Sequence, residues 1–279
     1  MTLADVPESS RRIAAVFDRA AATYDGVGVP WFQPIADRLV AEVRPAPGER
    51  VLDVGCGRGA ALFPLAEAVG PDGQVTGIDL SSGMIDATAA DVAARGVTNV
   101  ALAVMDASAP SLPSGSADLL TASLVLFFLP DPAAALSRWF DLVVGGGRIG
   151  VTTFGAADPS WTALDDLFRP FLPPQMLDAR TSGRQGPFGS DEGVEGLLAG
   201  AGFTGTRTVG FHLPVLFADP EEWYRWSWSH GQRAMWEAVG TEHHDEVRDL
   251  AFAHLEACRR PDGIIPLGQH VRVTLADRP

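Results

Sequence analysis

From Glu8 the apolar residues Ile13, Val16, Phe17, Ala20 and Tyr24 recur at helical spacing, and after Pro30 the pattern returns in Trp31, Phe32, Ile35, Leu39 and Val43. Residues three or four apart share a helix face, so two amphipathic helices are predicted to lead the chain. Pro45, Pro47 and Gly48 punctuate, and from Arg50 short β-branched runs alternate with alanine-rich helical runs. Such alternation predicts βαβ units on a parallel sheet. Strands are expected near Arg50 to Val54, Gln74 to Leu80, Asn99 to Met105, Asp118 to Phe127, Arg148 to Phe154, Thr206 to Leu213 and Val271 to Leu275. Helices are expected at Ala60 to Val69, Gly83 to Arg95 and Pro132 to Leu142, with another capped by Ser190 and Asp191 and running to Ala201. The predicted fold is α/β, a seven-stranded Rossmann-like sheet with helices on both faces.

Two segments break the alternation. Gly155 to Gly189 carries Trp161, Phe168 and Phe171, and Ala218 to Pro266 carries four of the seven tryptophans. Structureless loops of that length are uncommon in compact domains. Both are therefore expected to build, with the leading helices, a helical cap that moves over the carboxyl edge of the sheet, where open α/β sheets bind ligands. The expected organisation is leading helices at 1–45, an α/β core at 46–154, a cap insertion at 155–189, a core helix and strand at 190–217, an aromatic-rich cap insertion at 218–266 and a last core strand at 267–279. Trp161, Phe171, Trp226 and Trp228 are the candidate walls of a pocket for a small apolar substrate.

Composition narrows the chemistry. In 279 residues, 46% hydrophobic and 20% charged, one core with a lid can be buried. All 21 bases are arginine; the absence of lysine excludes Schiff-base chemistry on this chain and the Gly-Lys-Ser/Thr phosphate loop. A formal charge of −14 disfavours nucleic acid and anionic membrane surfaces as partners. Cys56 and Cys258 make no disulfide framework, Met1 to Arg12 lacks an apolar signal core, and the apolar run from Leu119 to Leu129 is too short to span a bilayer. A cytoplasmic protein is expected. His243 and His244 are adjacent and diverge on a helix, so no metal site is expected.

The run Val51-Leu52-Asp53-Val54-Gly55-Cys56-Gly57-Arg58-Gly59-Ala60 ends a strand and opens a helix, and its glycines permit a tight turn and close approach of a ligand to bare backbone. Gly55, Gly57 and Ala60 also satisfy a dinucleotide pattern, with Asp79 where an NAD site keeps its ribose-binding acid. Asp53 favours a different ligand. A carboxylate two residues before the first glycine opposes a pyrophosphate but suits an ammonium and a sulfonium, the charges of S-adenosylmethionine, whose ribose Asp79 can also hold.

The run from Val51 to Gly59, with Gly77-Ile78-Asp79-Leu80-Ser81 and Met105-Asp106-Ala107, resembles the class I S-adenosylmethionine-dependent methyltransferases. Val16-Phe17-Asp18 followed by Tyr24-Asp25 resembles, more narrowly, the leading helix of the ubiquinone/menaquinone C-methyltransferase-like group. The resemblance covers residues 10 to 154. It implies that the loop containing Asp53, Gly55, Cys56 and Gly57 cradles the methionyl part of S-adenosylmethionine or S-adenosylhomocysteine. Asp79 and Leu80 would meet the ribose, Asp106 and Ala107 the adenine, Met84 the adenine face, and Ser123 would lie near the transferred methyl. The chain departs from that family by inserting about fifty residues between its last two strands (218–266). After the fourth strand it carries Ser123-Leu124-Val125-Leu126, unlike the motif of nucleobase-amine methyltransferases and without the carboxylate of metal-dependent catechol enzymes.

The expected activity is methyl transfer to oxygen or carbon of a small, largely apolar, secondary-metabolite-like molecule. The alternative is a methyltransferase-like cyclase of polyketide pathways that binds the cofactor without consuming it; a cofactor-sensing protein is a third reading, disfavoured by the aromatic cap. Candidate catalytic residues are His230, a general base that titrates near neutrality, and Tyr24. Glu237 is expected to orient His230, and His212 is the next candidate base.

Overall fold

The computed structural model describes residues 6–174 and 186–279. Its strands are β1 (Arg50–Val54), β2 (Gln74–Asp79), β3 (Val100–Val104), β4 (Ala117–Ser123), β5 (Val143–Ala157), β6 (Thr204–Phe217) and β7 (Ile265–Asp277). They form one sheet in the order β3-β2-β1-β4-β5-β7-β6. The first five are parallel, and β7 runs antiparallel to β5 and β6. The order reverses between β1 and β4, where the following loops part and open a crevice at the strands' carboxyl ends. Asp53 and Thr121 are register partners at that point.

The helices are α1 (Glu8–Ala20), α2 (Phe32–Val43), α3 (Leu62–Val69), α4 (Ser82–Arg95), α5 (Pro132–Leu142), α6 (Pro159–Phe168), α7 (Asp191–Gly200), α8 (Pro220–Trp228), α9 (Arg233–Ala238) and α10 (His244–Ala257). Side chains alternate across a strand, so Val51 and Leu119 join a core with Leu39 and Val43 of α2 and Leu62 and Leu65 of α3. Leu52, Val54, Leu120 and Ala122 face the other way, toward Leu136 and Trp139 of α5 and Val194 and Leu198 of α7. Local chemistry starts these helices. Asp131 accepts the Ala134 N–H ahead of α5, Ser190 the Gly193 N–H ahead of α7, and Asp219 the Glu222 N–H ahead of α8, each satisfying an orphan donor of a first turn. The helices outside the sheet layers pack together: α10 on α6 and α8, α9 on α8 and α1.

The pattern misplaced several boundaries. The fourth strand, expected to reach Phe127, ends at Ser123 because Leu124 turns left-handed (φ +58°) and Leu126–Phe128 form a 3-10 turn. A leucine in that region costs about 1–2 kcal/mol. The unbroken apolar run hid the break, since buried turn and buried strand look alike in hydropathy. Helix α1 ends at Ala20, so Tyr24 lies in the following turn, still edge-on to Phe17 with ring centroids 6.1 Å apart. Strands β6 and β7 pair from Thr204 and Asp277 to Phe217 and Ile265, further than expected, because Pro214 and Pro266 sit inside the ladder and read as breakers.

Candidate active site

At the end of β1 the Asp53 side chain is 1% exposed. The Thr121 hydroxyl donates to its Oδ1 at 2.8 Å, and its Oδ2 is buried with no hydrogen-bond partner. The chain then turns through Gly55, Gly57 and Gly59, at φ +65°, +49° and +84°. A methyl on Gly55 would lie 2.3 Å from Val125 Cγ2, whereas no atom lies within 4 Å of the corresponding point on Gly57. The loop thus abuts the segment after β4 on one side and is open on the other. Three bonds fix it: Gly57 N–H donates to Asp79 Oδ2 (2.9 Å), the Thr88 hydroxyl to the Gly57 carbonyl (2.7 Å), and Arg58, paired with Asp91, to the Ala21 carbonyl.

Asp79 also accepts the Ser81 N–H on Oδ1 (2.9 Å), so each oxygen holds one amide and keeps a lone pair for a ligand hydroxyl. Burial pushes its pKa above the ordinary value, with the amides of Ser81 and Gly57 opposing. Burial pushes Asp53 up to about 7, the Thr121 hydroxyl opposing and the charge of Asp79 adding. Among the described residues no cation pairs with either carboxyl, so the two neighbouring acids need a positive charge before both can ionise. A ligand carrying an ammonium and a sulfonium supplies it, and a pyrophosphate would not. The orphaned Asp53 oxygen and the open face of Gly57 therefore fit S-adenosylmethionine.

The other expected cofactor residues surround this point. Met105 N–H donates to the Asp79 carbonyl (2.9 Å), which sets the start of the Asp106-Ala107 turn. Asp106 is buried and accepts the Ser108 N–H, while the Ala107 carbonyl is already taken by the Trp139 indole (2.8 Å). Met84 is buried in the first turn of α4, its N–H on the Ser81 hydroxyl, and Leu80 is half-buried. Cys56 is buried, and burial with the charges of Asp79 and Asp53 holds its thiol well above the ordinary pKa, so it packs as a neutral group. The Ser123 hydroxyl lies 3.1 Å from that of Thr152.

Two acids escaped the residue-by-residue reading. Asp18 of α1 accepts the Ser81 hydroxyl (2.5 Å) and the Gly83 N–H (2.9 Å) on one oxygen, capping α4 from a distant helix. Asp25, at φ +55°, stands ahead of α2; burial raises its pKa, with the amides of Phe32, Trp31 and Gln33 opposing. Their signal was present: both stand in the Val16-Phe17-Asp18 and Tyr24-Asp25 runs. Pattern alone gave no partner for either.

Aromatic rings continue the site. Tyr24 stacks on Phe32 (4.3 Å, 19°), and His230 meets Phe32 edge-on at 6.0 Å and Trp226 at 4.1 Å. Trp226 is edge-on to Trp31 and Trp161, which stack on each other at 5.3 Å. Burial, with Asp79 and Asp25 adding, pushes the Tyr24 pKa well up, so its phenol keeps its proton. His230 and Tyr24 thus lie against the same ring, with Trp161 and Trp226 behind. Trp228 and Phe171 are placed differently. Trp228 stacks on Trp236 at 5.9 Å, and Phe171 rests against His243 at 5.2 Å. Glu237 does not orient His230 as expected: it is forked between Arg19 (2.9 and 2.5 Å) and Arg233 (2.8 Å), because two guanidiniums at the α1–α9 contact outcompete a ring seven residues away. His212 is exposed on β6. No cluster with metal-binding make-up occurs among the described residues, nor any helix long and apolar enough to cross a membrane.

Residues 51–147 match the family described as "Methyltransferase domain". The chain is 40% identical over 253 residues to the nocamycin O-methyltransferase of Saccharothrix syringae, covering 84% of this chain and 89% of that one. It is 43% identical over 168 residues to the aklanonic acid methyltransferase of Streptomyces sp. (strain C5), covering 60% and 76%. Among solved structures it is similar to phosphoethanolamine N-methyltransferase 2 of Haemonchus contortus with S-adenosyl-L-methionine (TM-score 0.62, 17% identity, 99% of this chain and 61% of that chain). It is also similar to the [4+2]-cyclase SpnF (TM-score 0.52, 18% identity, 88% and 80%). Those two likenesses concern the fold, which does not decide the reaction. Identity of 40% along most of a relative's length does show the family: the chain belongs to the S-adenosylmethionine-dependent methyltransferases.

Proposed function

We propose that this methyltransferase alkylates an oxygen of a small, largely apolar acceptor lying against the wall formed by Tyr24, Phe32, Trp226 and Trp161. The observation that carries this reading is His230, a polar ring 8% exposed among aromatic ones and set against Phe32, the ring on which Tyr24 also stacks. The bound cofactor supplies an electrophilic methyl on a sulfonium. Asp53, Asp79 and the glycine loop would hold and orient it, with Asp106 and Ala107 available to the adenine. The aromatic wall excludes water and aligns the acceptor, and holding both reactants in near-attack geometry lowers the barrier by about 7–11 kcal/mol in well-oriented systems.

A donor role for His230 is supported by the Gln232 N–H, which donates to its Nδ1 at 3.3 Å; in that tautomer the neutral ring carries its proton on Nε2 and would offer it to the acceptor. An acceptor oxygen ionised near neutrality, such as a carboxylate or enolate, needs no base and gains from that donor. A relative named for an acid supports the same acceptor class. The test uses S-adenosylmethionine labelled with 13C at the methyl and aklanonic acid as acceptor, with His230→Gln and His230→Ala beside wild type. The expected result is an O-methyl carbon signal, with activity largely kept in His230→Gln, which retains a donor, and reduced at least about tenfold in His230→Ala. A carbon-bound label would contradict the acceptor assignment. Equal loss of about 100-fold in both variants, with a rate rising through the imidazole range, would restore the general base.

A further inference from the structure

The segment after β4 carries a constraint that the glycine motif does not account for. Leu124, buried and left-handed at φ +58°, donates its N–H both to the Thr152 carbonyl (3.2 Å) and to the Thr152 hydroxyl (3.0 Å). The same hydroxyl lies 3.1 Å from that of Ser123. Thr152, on β5, is fully buried. Any residue there would offer the carbonyl, but the hydroxyl of Ser or Thr adds a second, strong acceptor. A strained residue persists where its surroundings over-determine it, and the hydroxyl is the additional determinant. One residue later Val125 turns back against Gly55, filling the space where any side chain on that glycine would go. The kinked segment therefore sets the distance between Ser123, at the sheet crevice, and the loop that holds the methionyl group.

We infer that Thr152 is a positioning residue for methyl transfer: its hydroxyl locks Leu124 left-handed and thereby fixes the acceptor-side segment, Ser123 to Val125, against the glycine loop. This rests on the methyl transfer proposed above and further requires that the acceptor, seated on the aromatic wall, reaches Ser123 to Val125. Thr152 touches neither reactant, and its effect is expected on turnover rather than on cofactor affinity, because Asp53, Gly57 and Asp79 keep their own partners.

Thr152→Val removes the hydroxyl at nearly constant volume, and Thr152→Ser keeps it. Three quantities are read on folded protein: hydrogen exchange of the Leu124 amide, S-adenosylhomocysteine affinity by calorimetry, and kcat and KM with S-adenosylmethionine and aklanonic acid. In Thr152→Val the Leu124 amide should exchange at least about tenfold faster, and kcat should fall about tenfold or more, as expected for a small misplacement of reactants. KM and S-adenosylhomocysteine affinity should stay within about threefold, and Thr152→Ser should rescue exchange and kcat. Should Thr152→Val fail to fold, Thr152→Cys, whose sulfur is a weak acceptor, is read instead. Unchanged exchange at Leu124 overturns the inference, as does unchanged kcat or an equal loss in Thr152→Val and Thr152→Ser. If wild type methylates no acceptor, the functional proposal fails while the exchange measurement still decides whether the hydroxyl holds the segment.

Discussion

Replacing Asp53 by Asn should make the protein more stable at pH 8 and a poorer cofactor binder, an opposed pair of effects that follows from one buried carboxyl. Asp53 has its pKa raised from an ordinary 3.8 to about 7, chiefly by burial. Below pH 4 both folded and unfolded chains carry its proton, and it makes no difference. Between pH 4 and 7 the unfolded chain loses the proton and the folded one keeps it, so stability falls by about 1.4 kcal/mol per pH unit, or about 4 kcal/mol in all above pH 7. The Asn variant escapes that loss and keeps the Thr121 hydrogen bond, but its amide NH2 takes the place of the orphaned Oδ2 at a cost of about 1–3 kcal/mol. A net gain of about 1–3 kcal/mol at pH 8 remains, read as a higher melting temperature in ligand-free protein and absent at pH 4. Binding reverses the sign. A ligand that sets its ammonium against Asp53 needs that carboxyl ionised, so wild-type affinity for S-adenosylhomocysteine, which keeps the ammonium though not the sulfonium, should rise up to about tenfold per pH unit below 7 and level off above. Comparing wild type with Asp53→Asn by calorimetry from pH 5.5 to 8 cancels the titrations of groups that do not interact with Asp53. A pH-independent difference in affinity, or a variant less stable than wild type at pH 8, would refute the reasoning.

Three further outcomes are expected. Asp79→Ala removes the acceptor of the Gly57 and Ser81 amides and, on the proposed binding mode, of the ribose hydroxyls, and should weaken S-adenosylhomocysteine binding by about 2–4 kcal/mol in calorimetry. Asp18→Ala strips the distant cap from α4, and a loss of about 1 kcal/mol in denaturant unfolding is expected. Gly55→Ala meets Val125 at 2.3 Å and an unfavourable φ; cofactor binding should vanish in calorimetry, and a partial rescue by Val125→Ala in the same chain would identify the clash as the cause.

The sheet and the cofactor loop were legible because each was written in local chemistry: Val51 to Gly59 needs glycines at positive φ, and Asp79 stands one strand later at a fixed spacing. The aromatic site was harder to read. Trp223, Trp226, Trp228 and Trp236 form one dense run in sequence, yet Trp226 turns to His230 while Trp228 stacks on Trp236, because neighbours on a helix diverge and tertiary packing decides which face is covered. Glu237 looked like a partner for His230 by proximity in sequence, whereas Arg19, more than two hundred residues away, takes it. The clasps made by Asp18 and Thr152 join residues far apart in the chain, and no periodicity encodes such pairs. Part of the first cap segment, residues 175–185, lies outside the described residues.

The central claim, transfer of a methyl group to an acceptor oxygen, is tested most directly by mass spectrometry of purified protein incubated with S-adenosylmethionine and aklanonic acid or related acids. Each product molecule should gain the mass of one CH2, with one S-adenosylhomocysteine formed per product. An isomer of unchanged mass, formed while S-adenosylmethionine is left unconsumed, would contradict the account and favour a cyclase built on the same fold.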